Sequence, residues 1–286
     1  MKNEKIVTKN ISGWKENDIS IFISDDPKLT GNPEIKGISD LKLNLILRQA
    51  YELTKEKRPT DFNGDKLSVM KIKRADGKVR IITRLTDYFT LWGFPHVAPE
   101  LFQKTNMDFV KTRESKIPSG LYAACLIVTA DKKVLLNVIS QSGGLNQGRL
   151  SFGFEEQSEP EDPNPVVTAS RGFEEEYGAK VSNDRITVLG FGRAFNMAYV
   201  SAYCLIEVGL TVTEILKARE NAEDKKESSC TLAVPLTEMD QLCLDETPYG
   251  PLKSYIVYGK LSESAIYVKH VANIPRWTLT KKHLGL

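Results

Sequence analysis

Apolar residues recur at helical spacing through Asp40 to Glu56 (DLKLNLILRQAYELTKE), which predicts a helix. Leu67 to Leu85 reads as two strands joined by the turn Ala75-Asp76-Gly77. Later in the chain, LYAACLIVTA and KVLLNVIS are two β-rich runs separated by Asp131-Lys132, the pattern of a hairpin. Further strands are expected at Arg185 to Phe191, Ala198 to Val208 and Cys230 to Pro235. Helices are expected at Pro165 to Tyr177, Thr213 to Ala222 and Tyr249 to Lys260. The stretch Thr86 to Val97 (TDYFTLWGFPHV) is dense in aromatics. Such a cluster anchors one part of a protein on another more often than it stacks on a nucleobase.

Near residues 111–119 the composition changes, with charge, serines and a proline in KTRESKIPS. The reading places a small α+β unit at residues 1–115 and a mixed α/β unit, ending in a helix and tail, at 116–286. At 286 residues and 41% hydrophobic content the chain can bury a large core. No apolar run reaches membrane-spanning length, and the charged start MKNEKIVTKN has no apolar leader, so a cytoplasmic protein without a membrane partner is expected. Cys125, Cys204, Cys230 and Cys243 lie too far apart for a zinc or redox motif and read as reduced core residues. His96, His270 and His283 show no metal-site spacing, and the tail IPRWTLTKKHLGL reads as a basic surface arm. A net charge of +2 gives no strong nucleic-acid signal. The distribution is uneven: residues 1–118 hold 22 Lys and Arg against 16 Asp and Glu, and the remainder 17 against 21.

Most chemistry is concentrated in NPVVTASRGFEEEYGA. Asn164 suits an N-cap, Pro165 the first helical position, and Gly178 the left-handed residue that ends a helix. Helical spacing then aligns Val166, Ala169, Phe173 and Tyr177 in a core-facing stripe. Glu175 and Glu176 are expected on the other side, with Gly172 one turn earlier. Adjacent carboxylates on a rigid helix repel unless a cation lies between them, and hard oxygen ligands of this kind suit Mg²⁺ or Mn²⁺.

Arg171, Phe173, Glu175, Glu176, Gly178 and Ala179, with Gly153 and Glu159 upstream, resemble the sequence box of the Nudix hydrolase superfamily. Two departures stand out. Eleven residues rather than seven separate Glu159 from Arg171, which makes EDPN (161–164) an insertion, and Gly172 replaces the first Glu of the box. A glycine inside a helix costs about 1 kcal/mol relative to alanine, so something beyond local propensity must favour it.

The resemblance covers residues 119–262 and implies a Nudix-type α/β/α sandwich with a mixed sheet, preceded by the small α+β unit. It implies a Mg²⁺- or Mn²⁺-dependent hydrolase that cleaves the diphosphate linkage of a nucleotide-derived small molecule. Glu175 and Glu176 would hold the metal together with Glu159, with Glu156, Glu161 and Asp162 competing for that third place. Arg171 would orient the carboxylates. The general base would come from the loop ARENAEDKKESSC, with Glu227 ahead of Glu223 and Asp224. Phe195, Asn196 and Tyr199 would line the substrate pocket. The N-terminal unit would cover the site or form a homodimer. The rival reading is a nucleotide-sensing module that binds without cleaving, a reading Gly172 keeps open.

Overall fold

A computed structural model describes residues 4–35, 38–140, 150–194, 198–224, 226, 228–244, 253–259 and 273–286. Strand β1 (Glu4–Trp14) and strand β2 (Ile19–Ile23) lead into helix α1 (Leu41–Lys57), whose Asp40 N-cap accepts a hydrogen bond from the Leu43 N–H. Strands β3 (Asp65–Ala75) and β4 (Lys78–Asp87) form the expected hairpin. Asp76 and Gly77 at its tip both take positive φ, of 50° and 76°, as a tight two-residue hairpin loop requires. The aromatic stretch becomes helix α2 (Tyr88–Val97), which packs on α1, and is followed by helix α3 (Pro99–Thr112).

The central strand β5 (Gly120–Val128) is apolar nearly throughout and buried on both faces, as a strand covered from two sides must be. Strand β6 (Lys133–Ile139) pairs with β5 at only two positions, Ile127↔Leu135 and Val128↔Val134. It then diverges to pair with the short strand β7 (Leu150–Phe152). The vacated flank of β5 is taken by strand β8 (Phe154–Gln157), from Cys125↔Phe154 to Tyr122↔Gln157. The hairpin signature was therefore right at its base, but the two runs separate beyond it.

Helix α4 (Pro165–Tyr177) comes next, then strands β9 (Ile186–Ala194) and β10 (Tyr199–Glu207). Strand β10 runs parallel to β5 over its whole length and antiparallel to β9. Helix α5 (Val212–Arg219), strand β11 (Ser228–Pro235) paired with β6, and helix α6 (Met239–Leu244) follow. The helix expected at Tyr249 to Lys260 is not found where the chain is described: Lys253–Tyr255 is a single 3-10 turn and Ile256–Gly259 is strand β12, paired with β11. Alternation of Ile256 and Tyr258 against an open edge overrode weak helical spacing there. The C-terminal tail forms helix α7 (Asn273–Leu284), with Trp277 and Leu279 buried, so it is not a free surface arm. Lys281, Lys282 and His283 in its last turn stay at least partly exposed, whereas Arg276 is buried and pairs with Glu155.

The result is a mixed α/β protein with a twelve-stranded mixed sheet and seven helices among the described residues. Helix α4 covers one face with Val166, Ala169, Phe173 and Tyr177 set against Ala123, Cys125, Val200 and Ala202. Trp277, Leu279, Met239 and Leu242 cover the other face, over Ala124, Leu126, Tyr203 and Leu205. Cys125, Cys204 and Cys230 are free thiols buried in these layers. Among the described residues no helix is long and apolar enough to cross a membrane.

Residues on both sides of position 115 contribute to this sheet, since β1 pairs with β9 and Ser68 of β3 pairs with Gly120 of β5. The junction contains a fully buried cation. Arg193 of β9 donates from Nε to the Asn106 Oδ1 of α3 at 2.7 Å and lies over the rings of Phe102 and Phe109, 5.9 and 5.2 Å away. Burial pushes its guanidinium down to about 9. Asn106 is thus the neutral acceptor that makes a buried charge tolerable. Replacing it by alanine should lower the unfolding free energy by about 2–3 kcal/mol in urea titration. The paired change Asn106→Leu with Arg193→Met should recover most of that loss, because it removes the charge as well as its acceptor.

Candidate functional site

The site is built outward from α4. Asn164 caps the helix by accepting from the Val166 and Val167 N–H groups at 3.0 and 3.1 Å, and Gly178 closes it at φ 63°. Position along the helix decides what each acid faces. Successive residues turn by about 100°, so Glu175 lies opposite the apolar stripe but Glu176 only about 65° from its centre. Glu175 is accordingly partly exposed, whereas Glu176 is 7% exposed and buried. That corrects the expectation of two acids together on the outer face. Glu176 lies beside Tyr177 and adds to the upward shift of that phenol, which burial mainly causes.

Arg171 and Glu175 share the outer side of the helix, and Arg171 is the hub. Its Nη1 donates to Glu156 at 3.0 Å and to Glu175 at 3.3 Å, and its Nη2 to Asp162 at 3.1 Å and to the Gln157 carbonyl at 2.9 Å. These bonds sew the helix to β8 and to the EDPN segment. That segment is an ordered part of the site: Asp162, 7% exposed, also accepts from the Thr168 hydroxyl at 2.9 Å and from the Glu159 N–H at 3.0 Å. Surrounded by carboxylates, the Arg171 guanidinium is held above its ordinary range despite partial burial.

Glu175 is the strained member. Burial raises its carboxyl above the ordinary value, Arg171 lowers it, and Asp224 and Glu159 raise it again. Asp224 arrives through its backbone N–H, which donates to the Glu175 carbonyl at 2.9 Å. Glu159 is half-exposed and pairs with Lys66 at 3.7 Å. Five carboxylates, Glu156, Glu159, Asp162, Glu175 and Asp224, thus face two cations, Arg171 and Lys66. The donors have the hard-oxygen chemistry of a Mg²⁺ or Mn²⁺ site. Among the described residues, however, no three acidic, histidine or cysteine side chains are arranged around a common point, and Arg171 takes the central place.

Gly172 now has a physical reason. A Cβ added there would lie 2.6 Å from Cε2 of Phe154 and 2.8 and 2.9 Å from Cβ and Cγ of Glu156. The helix lacks a side chain at 172 because β8 fills that space, and the strand's own Glu156 passes over the glycine to reach Arg171. The missing acid of the box and the acid on the strand exclude one another sterically.

The remaining sequence candidates divide. Arg171, Glu175 and Glu159 are brought together, with Glu156, Asp162 and Asp224 beside them. Glu161 is exposed, and Glu223 is exposed on the loop after α5. Glu227, Phe195 and Asn196 lie outside the described residues. Tyr199 begins β10, and its register with Gly120 puts it on the face opposite α4, where its ring tilts against Tyr122 at 4.8 Å. Sequence reasoning missed the polar residues of that face, Tyr122, Gln157, Ser201 and Arg276. The available signal was a serine within the apolar run of β10 and the alternation of Glu155, Glu156 and Gln157 along β8. Among known proteins, no family model matches the chain and no curated protein matches it significantly.

Gly172→Ala tests the packing directly. In an open helix interior that change stabilises by about 1 kcal/mol. Here the chemical-denaturation midpoint should fall instead, because Phe154 and Glu156 must shift.

Proposed function

We propose that the chain is a divalent-metal-dependent hydrolase of Nudix type that cleaves a diphosphate linkage in a nucleotide derivative. The observation that carries this reading is the excess of hard carboxylate oxygens gathered around Arg171 at the junction of α4, β8 and the EDPN segment. The layered arrangement, with a capped acidic helix under a mixed sheet, is what the sequence resemblance implies for that superfamily.

Glu175, with Glu156 and Glu159 beside it, would hold Mg²⁺ or Mn²⁺. When bound, the ion supplies neutralisation of diphosphate charge and activation of a water. The protein's own groups do the rest. Arg171 fixes Glu156 and Glu175 relative to one another, so the carboxylates are oriented before substrate arrives. Asp162 holds the EDPN segment and the start of α4 to Arg171, which fixes the position of Glu159. Asp224, next to Glu175, is the described loop acid best placed to take a proton from water. Glu175 replaces Glu176 as the principal acid of the set because only Glu175 faces outward.

A specific feature favours a second reading, a nucleotide-binding module without turnover: Arg171 already ion-pairs with Glu156 and Glu175, two of the acids that a metal would require. Cation titration separates the two. Mg²⁺ or Mn²⁺ should raise the melting temperature of the wild-type chain, and cleavage should be seen in a panel of ADP-ribose, NAD, dinucleoside polyphosphates, nucleotide sugars and nucleoside triphosphates. Glu175→Gln should abolish both effects. Without metal, Glu175→Gln should raise the melting temperature near neutral pH, since an acid whose folded pKa is raised is destabilising when ionised. That gain should fade as pH falls and the wild-type carboxyl takes up its proton. Cation binding without cleavage of any compound would leave the binding module.

A further inference from the structure

On the β3–β4 hairpin and the edge strand β2, register sorts side chains into two sets. Lys71 lies opposite Ile82 and Lys73 opposite Arg80, while Phe22 and Ser20 of β2 lie beside Ile82 and Arg80. Directly opposed residues share one face of a sheet. The intervening Val79 and Ile81 turn to the other face and are buried in the core that α4 covers. Over the face through Lys71 and Ile82, between α1 and α3, opens a cavity of about 930 Å³. That is large enough for a small molecule, whose pockets span roughly 300–1,000 Å³.

The lining selects the shape of the occupant. Leu43 and Ile46 of α1, Met70 of β3, Ile82 of β4, Leu101 of α3 and Ile117 supply the apolar part, and none of the described residues around the cavity is aromatic. Aliphatic side chains and a methionine fit a flexible chain, and they offer no ring on which a planar ligand could stack. The wall formed by residues 113–117 is fixed to the hairpin. The Ile72 N–H donates to the Arg113 carbonyl at 3.0 Å, the Ser115 N–H to the Met70 carbonyl at 2.7 Å and the Arg84 Nη2 to the Lys116 carbonyl at 2.8 Å, and Lys71 pairs with Glu114. Leu101 is 37% exposed and Leu43, Ile46, Met70 and Ile82 are only partly buried, so aliphatic surface stays in water until a ligand covers it. The rim balances three acids against three lysines and favours neither charge.

Charge enters two residues further along the same face, about 7 Å from Lys71 and Ile82. Lys73 and Arg80 are directly opposed there, and like charges in that position destabilise a sheet. With Lys78 they border a second hollow of about 400 Å³, whose lining holds a single carboxylate, Asp18, which accepts from the Lys15 N–H at 3.0 Å. The Arg80 guanidinium lies over the Phe22 ring at 4.4 Å, next to Ile82, so the cations adjoin the aliphatic cavity. We propose that this face binds an amphipathic anion: one aliphatic chain lies in the cavity between α1 and α3, and an oxyanion head is held by Lys73, Lys78 and Arg80. An anion at that place relieves the repulsion between Lys73 and Arg80, and the chain covers the aliphatic lining.

The test is calorimetric titration of the full chain with dodecyl phosphate kept below the concentration at which it forms micelles. Dodecanol and inorganic phosphate serve as probes of the chain and the head alone. Dodecyl phosphate should bind saturably, and each half alone at least tenfold more weakly. Leu101→Glu, which sets a charge on the exposed wall of the cavity, should weaken binding at least tenfold with no loss of melting temperature. Lys73→Glu should weaken it as much while leaving the melting temperature unchanged or higher, because Arg80 then faces an opposite charge. The proposal is overturned if dodecyl phosphate does not bind, if dodecanol binds as tightly, or if both variants bind as the wild type does. Sedimentation of the chain with anionic phospholipid vesicles, without saturable binding of dissolved dodecyl phosphate, would overturn it in favour of a membrane surface. No divalent metal or cleavage enters these measurements, so their outcome is independent of the hydrolase reading.

Discussion

The close approach of β8 to α4 is the constraint from which the rest of the candidate site follows. A strand can lie that near a helix only where the helix has no side chain, and Gly172 provides the gap. Once β8 is seated there, Glu156 reaches the outer side of the helix and Arg171 finds carboxylates on three segments at once. The same placement sets β8 against β5, which puts Gln157 in line with Tyr122 and Ser201. A local loss of one Cβ therefore determines both faces of the sheet around this strand.

Such an arrangement changes how the acidic box should be read. Position 172 is vacant and its space is filled by another acid from a different element, so the carboxylates are redistributed between helix and strand. Arg171 binds Glu156 and Glu175 through the same nitrogen, Nη1, which couples them: movement of either alters the other. Such coupling makes single-residue partition of the site's energetics unreliable and favours measurement in cycles.

Legibility from sequence followed locality. The α4 helix could be read to its caps because Asn164, Pro165 and Gly178 act on their immediate neighbours. The β3–β4 turn was legible for the same reason. Glu176's burial was obscured because a pair of consecutive acids looks like one feature, although a 100° turn separates them. The reason for Gly172 was hidden, since it lies in a contact between residues 154–156 and 172 that no spacing rule encodes. The C-terminal helix was misread as an arm because the basic residues of KKH mask Trp277 and Leu279, which reach the core. The row through Ser201 depends on the register of three strands and became visible only once they were aligned.

The pairing of β1 with β9 has a consequence for how the chain acquires its fold. Glu4 pairs with Ala194, so β1 is completed by a strand synthesised nearly two hundred residues after it. Closing so long a loop is entropically costly and slow. During synthesis β1 has an unsatisfied edge, and Trp14, which is fully buried in the finished protein, has no place to go. Lys5 and Lys9, both exposed on that strand, set like charges along the edge until β9 arrives, and like charges on an unpaired edge disfavour pairing between copies.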